Sequence, residues 1–252
     1  MPFSLNLGVN GIGYSNIIVN IILVFASLLL LKHSGFNVFQ SGQLSFSWMK
    51  GFVKVGSLSG FESFVRNFAY IMMISRMVNM VGEQGTCWVA NNFIWGWLLL
   101  PVIQLGEVIK QEVAKDQNAI RNNMAGYVSI TSIVVGIWII IIPLYRPFMQ
   151  HILHFDDVNK LFRLVLVLLI PYIAYAFQNI VDSIFYGRGV IQYMLLESVV
   201  TNAIYYGSCF VTYLAGCWEP TLLGIALMFG VGNIFDSIVS WLVYVRFKKK
   251  NI

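Results

Sequence analysis

A few polar and ionisable residues recur at helical spacing inside long apolar stretches, and the chemistry open to them is the binding and passing of ions or small polar molecules. Glu62, Arg66 and Tyr70 stand at i, i+4 and i+8, which puts them on one stripe of a helix with Asn67 beside it. Gln178 and Asp182 are likewise four apart, with Asn179 three before Asp182 and Pro171 one to two turns earlier, where it interrupts the backbone ladder. Asn233 and Asp236 are three apart. By rise per residue, Glu62 and Asp236 lie at a similar depth, roughly 15 Å from the ends of their helices, so they are expected to share one polar cavity. A charge at membrane depth is costly unless it is paired or wetted, and such residues mark pathways. The competing reading is an intrahelical ion pair between Glu62 and Arg66 that neutralises both inside a packed bundle.

The elements that must position these residues are apolar helices. Hydrophobic residues make up 58% of the chain and charged residues 11%, with a mean hydropathy of +0.74; too little polar material remains to cover a water-facing surface. Apolar runs centre on Tyr14–Leu31, Phe52–Val81, Thr86–Glu107, Ala125–Tyr145, Leu161–Tyr186, Ile191–Ala215 and Pro220–Val245. Each is long enough for a helix to cross a hydrocarbon core of about 30 Å, and strict alternation of the kind a barrel strand needs is missing. The expected class is an all-α integral membrane protein with seven transmembrane helices, its first partner the lipid bilayer.

Basic residues set the expected orientation. Lys32, Lys50, Lys54, Lys110, Lys115, Arg121, Arg188, Arg246, Lys248, Lys249 and Lys250 fall on one side of the spans, against Arg146, Lys160 and Arg163 on the other. The positive-inside rule then places the C-terminus in the cytoplasm and the N-terminus outside, in a multi-pass protein of the cell's inner (plasma) membrane. That topology accounts for the net charge of +5, so no nucleic-acid partner is expected.

Other features read as structural. Cys87, Cys209 and Cys217 lack a C-x-x-C spacing and read as packing residues. His151 and His154 lie near Asp156 and Asp157, but Phe148, Ile152 and Phe155 interleave with them, the pattern of an amphipathic connection at the outer interface, and no metal is expected. Arg76 and Glu197 read as snorkelling or capping groups near helix ends. Gly56 and Gly60 read as a close helix crossing. Trp95, Phe93 and Tyr70 are candidates to stack on a flat organic cation. Nucleophile–base pairs, metal sets and phosphate loops are not readable, so enzyme activity is not expected.

The order of several motifs resembles a known family. Leu7-Gly-Val-Asn-Gly-Ile-Gly-Tyr-Ser-Asn-Ile-Ile, Val55-Gly-Ser-Leu-Ser-Gly-Phe-Glu-Ser-Phe, Val89-Ala-Asn-Asn-Phe-Ile and Tyr186-Gly-Arg-Gly are similar to segments of the multidrug and toxic compound extrusion (MATE) transporters. The resemblance covers almost the whole chain. It implies a lone helix at 1–34 corresponding to the last helix of an N-terminal lobe, a cytoplasmic linker at 35–51, and a six-helix C-terminal lobe at 52–252 of a twelve-helix fold. The chain departs from the family pattern at Leu58, where a proline is common, and at Gln111-Glu112-Val113-Ala114-Lys115-Asp116, where a glycine-rich turn is common.

What the resemblance implies for function is alternating access by a Na⁺- or H⁺-coupled exporter of organic, often cationic, small molecules, without any other cofactor. Glu62 and Asp182 are then the acids available to the coupling ion. A missing N-terminal lobe or a second copy of the chain is the expected partner, the chain being a fragment or split half. A lipid-linked oligosaccharide flippase shares that wider fold, but its pyrophosphate calls for several central basic residues and only Arg66 is central here. A seven-helix receptor matches the span count and the N-out, C-in topology, but the last span has no Lys for a retinal Schiff base.

Overall fold

The computed structural model describes residues 8–35, 45–116 and 118–251. Among these, every residue lies in a helix or a short connection and none in a strand. The chain divides into two compact units, residues 1–49 and 50–252. Of the linker expected over 35–51, residues 36–44 lie outside the described residues, as do 1–7 of the expected lone helix.

The first unit contributes α1 (Gly8–His33), a helix with Lys32 and His33 in its last turn, where cations complement the helix dipole. In the second, α2 (Met49–Ala69) runs without a break through a π-helical turn, Tyr70–Ser75, into α3 (Arg76–Val81). Gly82 stops that helix at φ 72°, a left-handed conformation that costs glycine nothing. α4 (Gln84–Phe93) continues through a second π-helical turn, Ile94–Leu98, to α5 (Leu100–Lys115), with a bend of 53° at Leu99, just before Pro101 in the first turn of α5.

Next come α6 (Ala119–Ile140) and the short α7 (Ile142–His151), which again opens on a proline, Pro143. α8 (Val158–Gly187) is capped by Asp157, whose side chain accepts from the Lys160 backbone N–H at 3.0 Å. α9 (Ile191–Val200) passes through a third π-helical turn, Thr201–Tyr206, into α10 (Gly207–Leu214), and α11 (Leu222–Asn251) ends the described chain. α1, α6, α8 and α11 are long and apolar enough to cross a membrane, and α4–α5 makes a fifth if the bent pair counts as one span.

α8 is the axis of the second unit, and its most extensive packing is against α11 and α5. Tyr172, Gln178, Ile180, Ile184 and Phe185 on it are fully buried. Two close approaches explain how neighbouring helices reach it. A Cβ at Gly187 would sit 2.6 Å from the Lys110 carbonyl oxygen of α5, and one at Gly230 of α11 would sit 2.6 Å from Pro171. Pro171 is thus a packing point within a continuous helix. Gly56 and Gly60, expected at a helix crossing, have no neighbouring element within 4 Å of a modest side chain's first carbon among the described residues. They leave α2 without the close contact that glycines permit at Gly187 and Gly230.

The ends of this unit are tied by polar contacts. Glu83, in the turn before α4, pairs with Lys160 of α8. At the opposite end, Lys110 pairs with Glu107 at 2.6 Å and lies over the Tyr186 ring at 5.1 Å. Glu112 accepts from the Tyr127 hydroxyl at 2.5 Å and from Asn123 at 3.3 Å, joining α5 to α6.

Candidate functional site

All three π-helical turns contribute to one cavity. A π turn widens the helix by one residue, which re-aims side chains and recurs at functional sites. Tyr70 comes from the first turn, Trp95 from the second, and Thr201, Asn202 and Tyr206 from the third, in a cavity of about 350 Å³. α2 adds Arg66 and Asn67, and α11 adds Asn233 and Asp236. A second cavity of about 440 Å³ adjoins it, and the two share Tyr70, Ile74, Trp88, Asn91 and Phe229.

Arg66 and Glu62 form the pair their spacing suggested. Arg66 Nη2 and Nε donate to Glu62 Oε1 at 2.6 and 2.9 Å, with Glu62 only 2% exposed and the arginine side chain 44% exposed. Glu62 is therefore buried behind its cation, and the guanidinium is what faces the cavity. Asn67 donates to the Ser63 carbonyl at 2.7 Å on its own helix, and Tyr70 packs edge-on against Phe229.

Behind the cavity wall lies a buried cluster of carboxyl groups centred on Gln178. Its amide nitrogen faces Glu197 Oε1 at 2.7 Å, Asp236 Oδ2 at 2.9 Å and Asp182 Oδ2 at 3.4 Å, while its carbonyl oxygen accepts from Ser237 at 2.8 Å. Thr201 donates to the other Asp236 oxygen at 2.7 Å, and Ser240 donates to Asp182 at 3.3 Å. One side chain on α8 thus holds acids from α8, α9 and α11. A primary amide has two hydrogens, so it cannot serve three carboxylate oxygens at full strength. The deficit falls on Asp182 Oδ2, the most distant of the three at 3.4 Å, and separately Glu197 Oε2 is buried without a hydrogen-bond partner. Only Asp236 of the three acids reaches the cavity wall.

Of the expected site residues, Arg66, Asn67, Tyr70, Asn233 and Asp236 line the cavity, and Gln178 and Asp182 stand behind Asp236. Asn179 is turned away: it donates to the Val102 carbonyl at 3.0 Å and packs at Gly106, because successive helical residues are about 100° apart and α5 occupies that side of α8. Phe93 also misses the cavity. It is 4% exposed and packs edge-on against Tyr145 at 5.0 Å, two residues and so nearly half a turn from Trp95.

Sequence reasoning missed Glu197. It was read as a group near a helix end, but it is 2% exposed at the centre of the cluster. The available signal was Thr201, four residues on, which reaches the same cluster. Asn91 was also passed over as a site residue. Tyr172, fully buried, accepts from Trp95 Nε1 at 2.9 Å and donates to Asn91 Oδ1 at 2.8 Å.

His151 lies at the end of α7, and His154 Nδ1 is 3.2 Å from the Ile152 carbonyl oxygen. Among the described residues, no three His, Cys, Asp or Glu side chains are disposed to hold a metal ion. The three cluster acids converge on an amide nitrogen, a donor, where a metal would need an open point ringed by oxygens at about 2.0–2.6 Å.

Set beside known proteins, the chain matches no family model, no curated protein and no solved structure.

Proposed function

We propose that this chain forms the cavity-bearing lobe of a cation-coupled exporter of organic compounds that works by alternating access. The observation that carries the reading is Asp236. One of its oxygens is held by Thr201, the other by Gln178 in the buried carboxyl cluster, and the same residue lines a cavity of about 350 Å³ with aromatic and polar walls. A change of charge in the cluster is thereby felt at the cavity surface, which is the physical link a coupled transporter requires. Of the two coupling ions, H⁺ suits the cluster better than Na⁺: a proton on one of the carboxyl groups supplies the hydrogen that the Gln178 amide lacks, whereas the amide nitrogen stands where a metal would have to sit.

In this reading the interrupted helices Met49–Val81 and Ile191–Leu214 are spans, giving seven with α1, α4–α5, α6, α8 and α11. The basic ends lie in the cytoplasm and the protein sits in the plasma membrane. A polar cavity wall against hydrocarbon is costly, so a second lobe or a second copy covers it. The order of motifs, set beside MATE transporters, points the same way. The cavity holds one guanidinium, Arg66, already paired to Glu62, which favours an organic substrate over a pyrophosphate-linked one.

The test is ethidium efflux from cells expressing the chain, with the proton and sodium gradients collapsed separately. Expression should raise efflux several-fold, collapse of the proton gradient should remove the gain, and Asp236→Asn should do the same with the protein still present in the membrane. A gain that survives loss of both gradients, or one that Asp236→Asn leaves intact, overturns the reading.

A further inference from the structure

A chain of hydrogen-bond donors with a fixed direction runs along the cavity wall. An indole N–H can only donate, so Trp95 Nε1, 2.9 Å from the Tyr172 oxygen, makes that oxygen an acceptor. The Tyr172 hydroxyl hydrogen must then go elsewhere, and Asn91 Oδ1 at 2.8 Å receives it. Once its carbonyl oxygen is committed to Tyr172, the Asn91 amide cannot turn over without setting two donors against each other. Its NH₂ group therefore faces away from Tyr172, and no described protein atom accepts from it.

Asn91 is also where the two adjoining cavities meet, since it lines both. The walls beside it are aromatic: Tyr70, Trp88 and Phe229 are shared by both cavities, and Trp95 and Tyr175 line the smaller one. Aromatic walls of this kind take up flat rings by stacking and edge contacts. Tyr172 itself is 1% exposed and packs edge-on against Trp95, so the hydroxyl that orients Asn91 is held on a fully buried side chain. A polar group held in this way discriminates strongly, because a ligand without the matching atom leaves it unpaired.

We propose that Asn91 is a specificity-determining residue, its amide held donor-outward by the Trp95–Tyr172 pair, and that the cavity selects flat aromatic compounds carrying a carbonyl-type acceptor oxygen. This rests on the reading of the cavity as a ligand-binding site. The residue acts on the ligand directly, and Trp95 and Tyr172 act through it as positioning residues.

The probes are xanthone, whose ring carbonyl is the acceptor, and xanthene, the same tricycle with a methylene in its place. Binding of each in tritiated form is measured to the full chain in lipid nanodiscs, with uptake by protein-free nanodiscs subtracted. The wild-type protein should hold xanthone at least ten-fold more tightly than xanthene. Asn91→Leu should bring the ratio close to one by weakening xanthone alone. Tyr172→Phe should do so with Asn91 intact, and Trp95→Phe, which frees the Tyr172 oxygen, provides the same test from the other end of the chain if Tyr172→Phe does not fold. Equal wild-type affinity for the two compounds, or a ratio unchanged in Asn91→Leu, overturns the assignment of Asn91 while leaving the cavity a binding site. Saturable binding of neither compound overturns the cavity reading, and this inference with it.

Discussion

Glu62 and Glu197 are equally buried, each 2% exposed, and they are satisfied in opposite ways. Glu62 has its own cation one turn along the same helix, and the hydrogen bonds it accepts come from side chains of α2 itself. Glu197 has no cation of its own. Its Oε1 is held by Gln178 on another helix, and the same amide serves Asp182 and Asp236. The first arrangement is modular: both members can be exchanged together without disturbing the bundle. The second is a joint between three helices, in which one amide determines where three acids stand.

The largest expected effect comes from removing that joint. Gln178→Leu keeps the volume and deletes the donors, stranding buried carboxyl oxygens; hydrogen bonds to charged groups are each worth about 1.5–3 kcal/mol, so a loss of about 3–6 kcal/mol is expected. A thermal unfolding midpoint in detergent that moves by less than about 2 °C would show that the joint holds nothing together.

On the modular side, Arg66→Met should cost about 2 kcal/mol, less than the 3–5 kcal/mol of a fully buried pair because the guanidinium is half exposed. Glu62→Gln should cost less, since the stranded arginine can reach solvent. The double substitution Glu62→Met with Arg66→Met should return to within about 1 kcal/mol of wild type. If the double variant is as unstable as Arg66→Met alone, the contrast between module and joint fails.

The frame that carries the joint can be tested apart from its chemistry. Gly187→Ala pushes a methyl group towards the Lys110 backbone, which cannot yield as a side chain can, and should cost about 1–3 kcal/mol. Gly106→Ala meets only the Asn179 and Ser183 side chains and should cost less. The reverse order would place the rigid contact between α5 and α8 elsewhere.

The smallest effect lies at the lobe's end. The Lys160 ammonium, with help from Thr86, holds the Glu83 carboxyl below the usual glutamate range. A group whose folded value is lowered contributes stability above its unfolded value and loses it as pH falls through the folded one. Wild type should therefore lose this contribution as the medium is acidified through and below the ordinary glutamate range, near 4.5. Lys160→Met should show a flatter decline over the same interval. Because Glu83 is solvent-facing, the difference in melting curves should be slight and should shrink with added salt. Equal slopes in the two proteins would show that the pair is not formed.

The same contrast explains what was legible in the sequence. Spacing within one helix exposes a module, so Glu62 with Arg66, Gln178 with Asp182, and Asn233 with Asp236 could all be found from their intervals. A joint between helices leaves only an indirect interval, here Glu197 with Thr201, which reaches the same cluster through Asp236. Glu197 sits in Leu-Leu-Glu-Ser-Val-Val, and the amide that holds it, Gln178, is 19 residues away in the chain. Asn179 shows the converse error, since adjacency to Gln178 in sequence means a different face of the helix. The apolar runs located the long helices, but the bend at Leu99 and the separation of α7 from α6 at Ile141 had only Pro101 and Pro143 as signals. The π-helical turns had none, because π and α backbones share the same side-chain preferences.

Those turns have a consequence for any alteration of chain length. Each accommodates one residue more than an α-helical turn, so each resets the angular phase between the residues before it and those after it. Deleting a single residue within Thr201–Tyr206 would restore uniform α geometry and shift every downstream side chain of α10 by about 100° relative to α9. Glu197 would keep its heading towards Gln178 while the apolar face of α10 swung off its present neighbours. A wheel drawn at constant pitch through Ile191–Leu214 therefore misplaces one half or the other, and the extra residue lets a single helix present its buried acid and the apolar face of α10 in directions that a regular helix would not allow together.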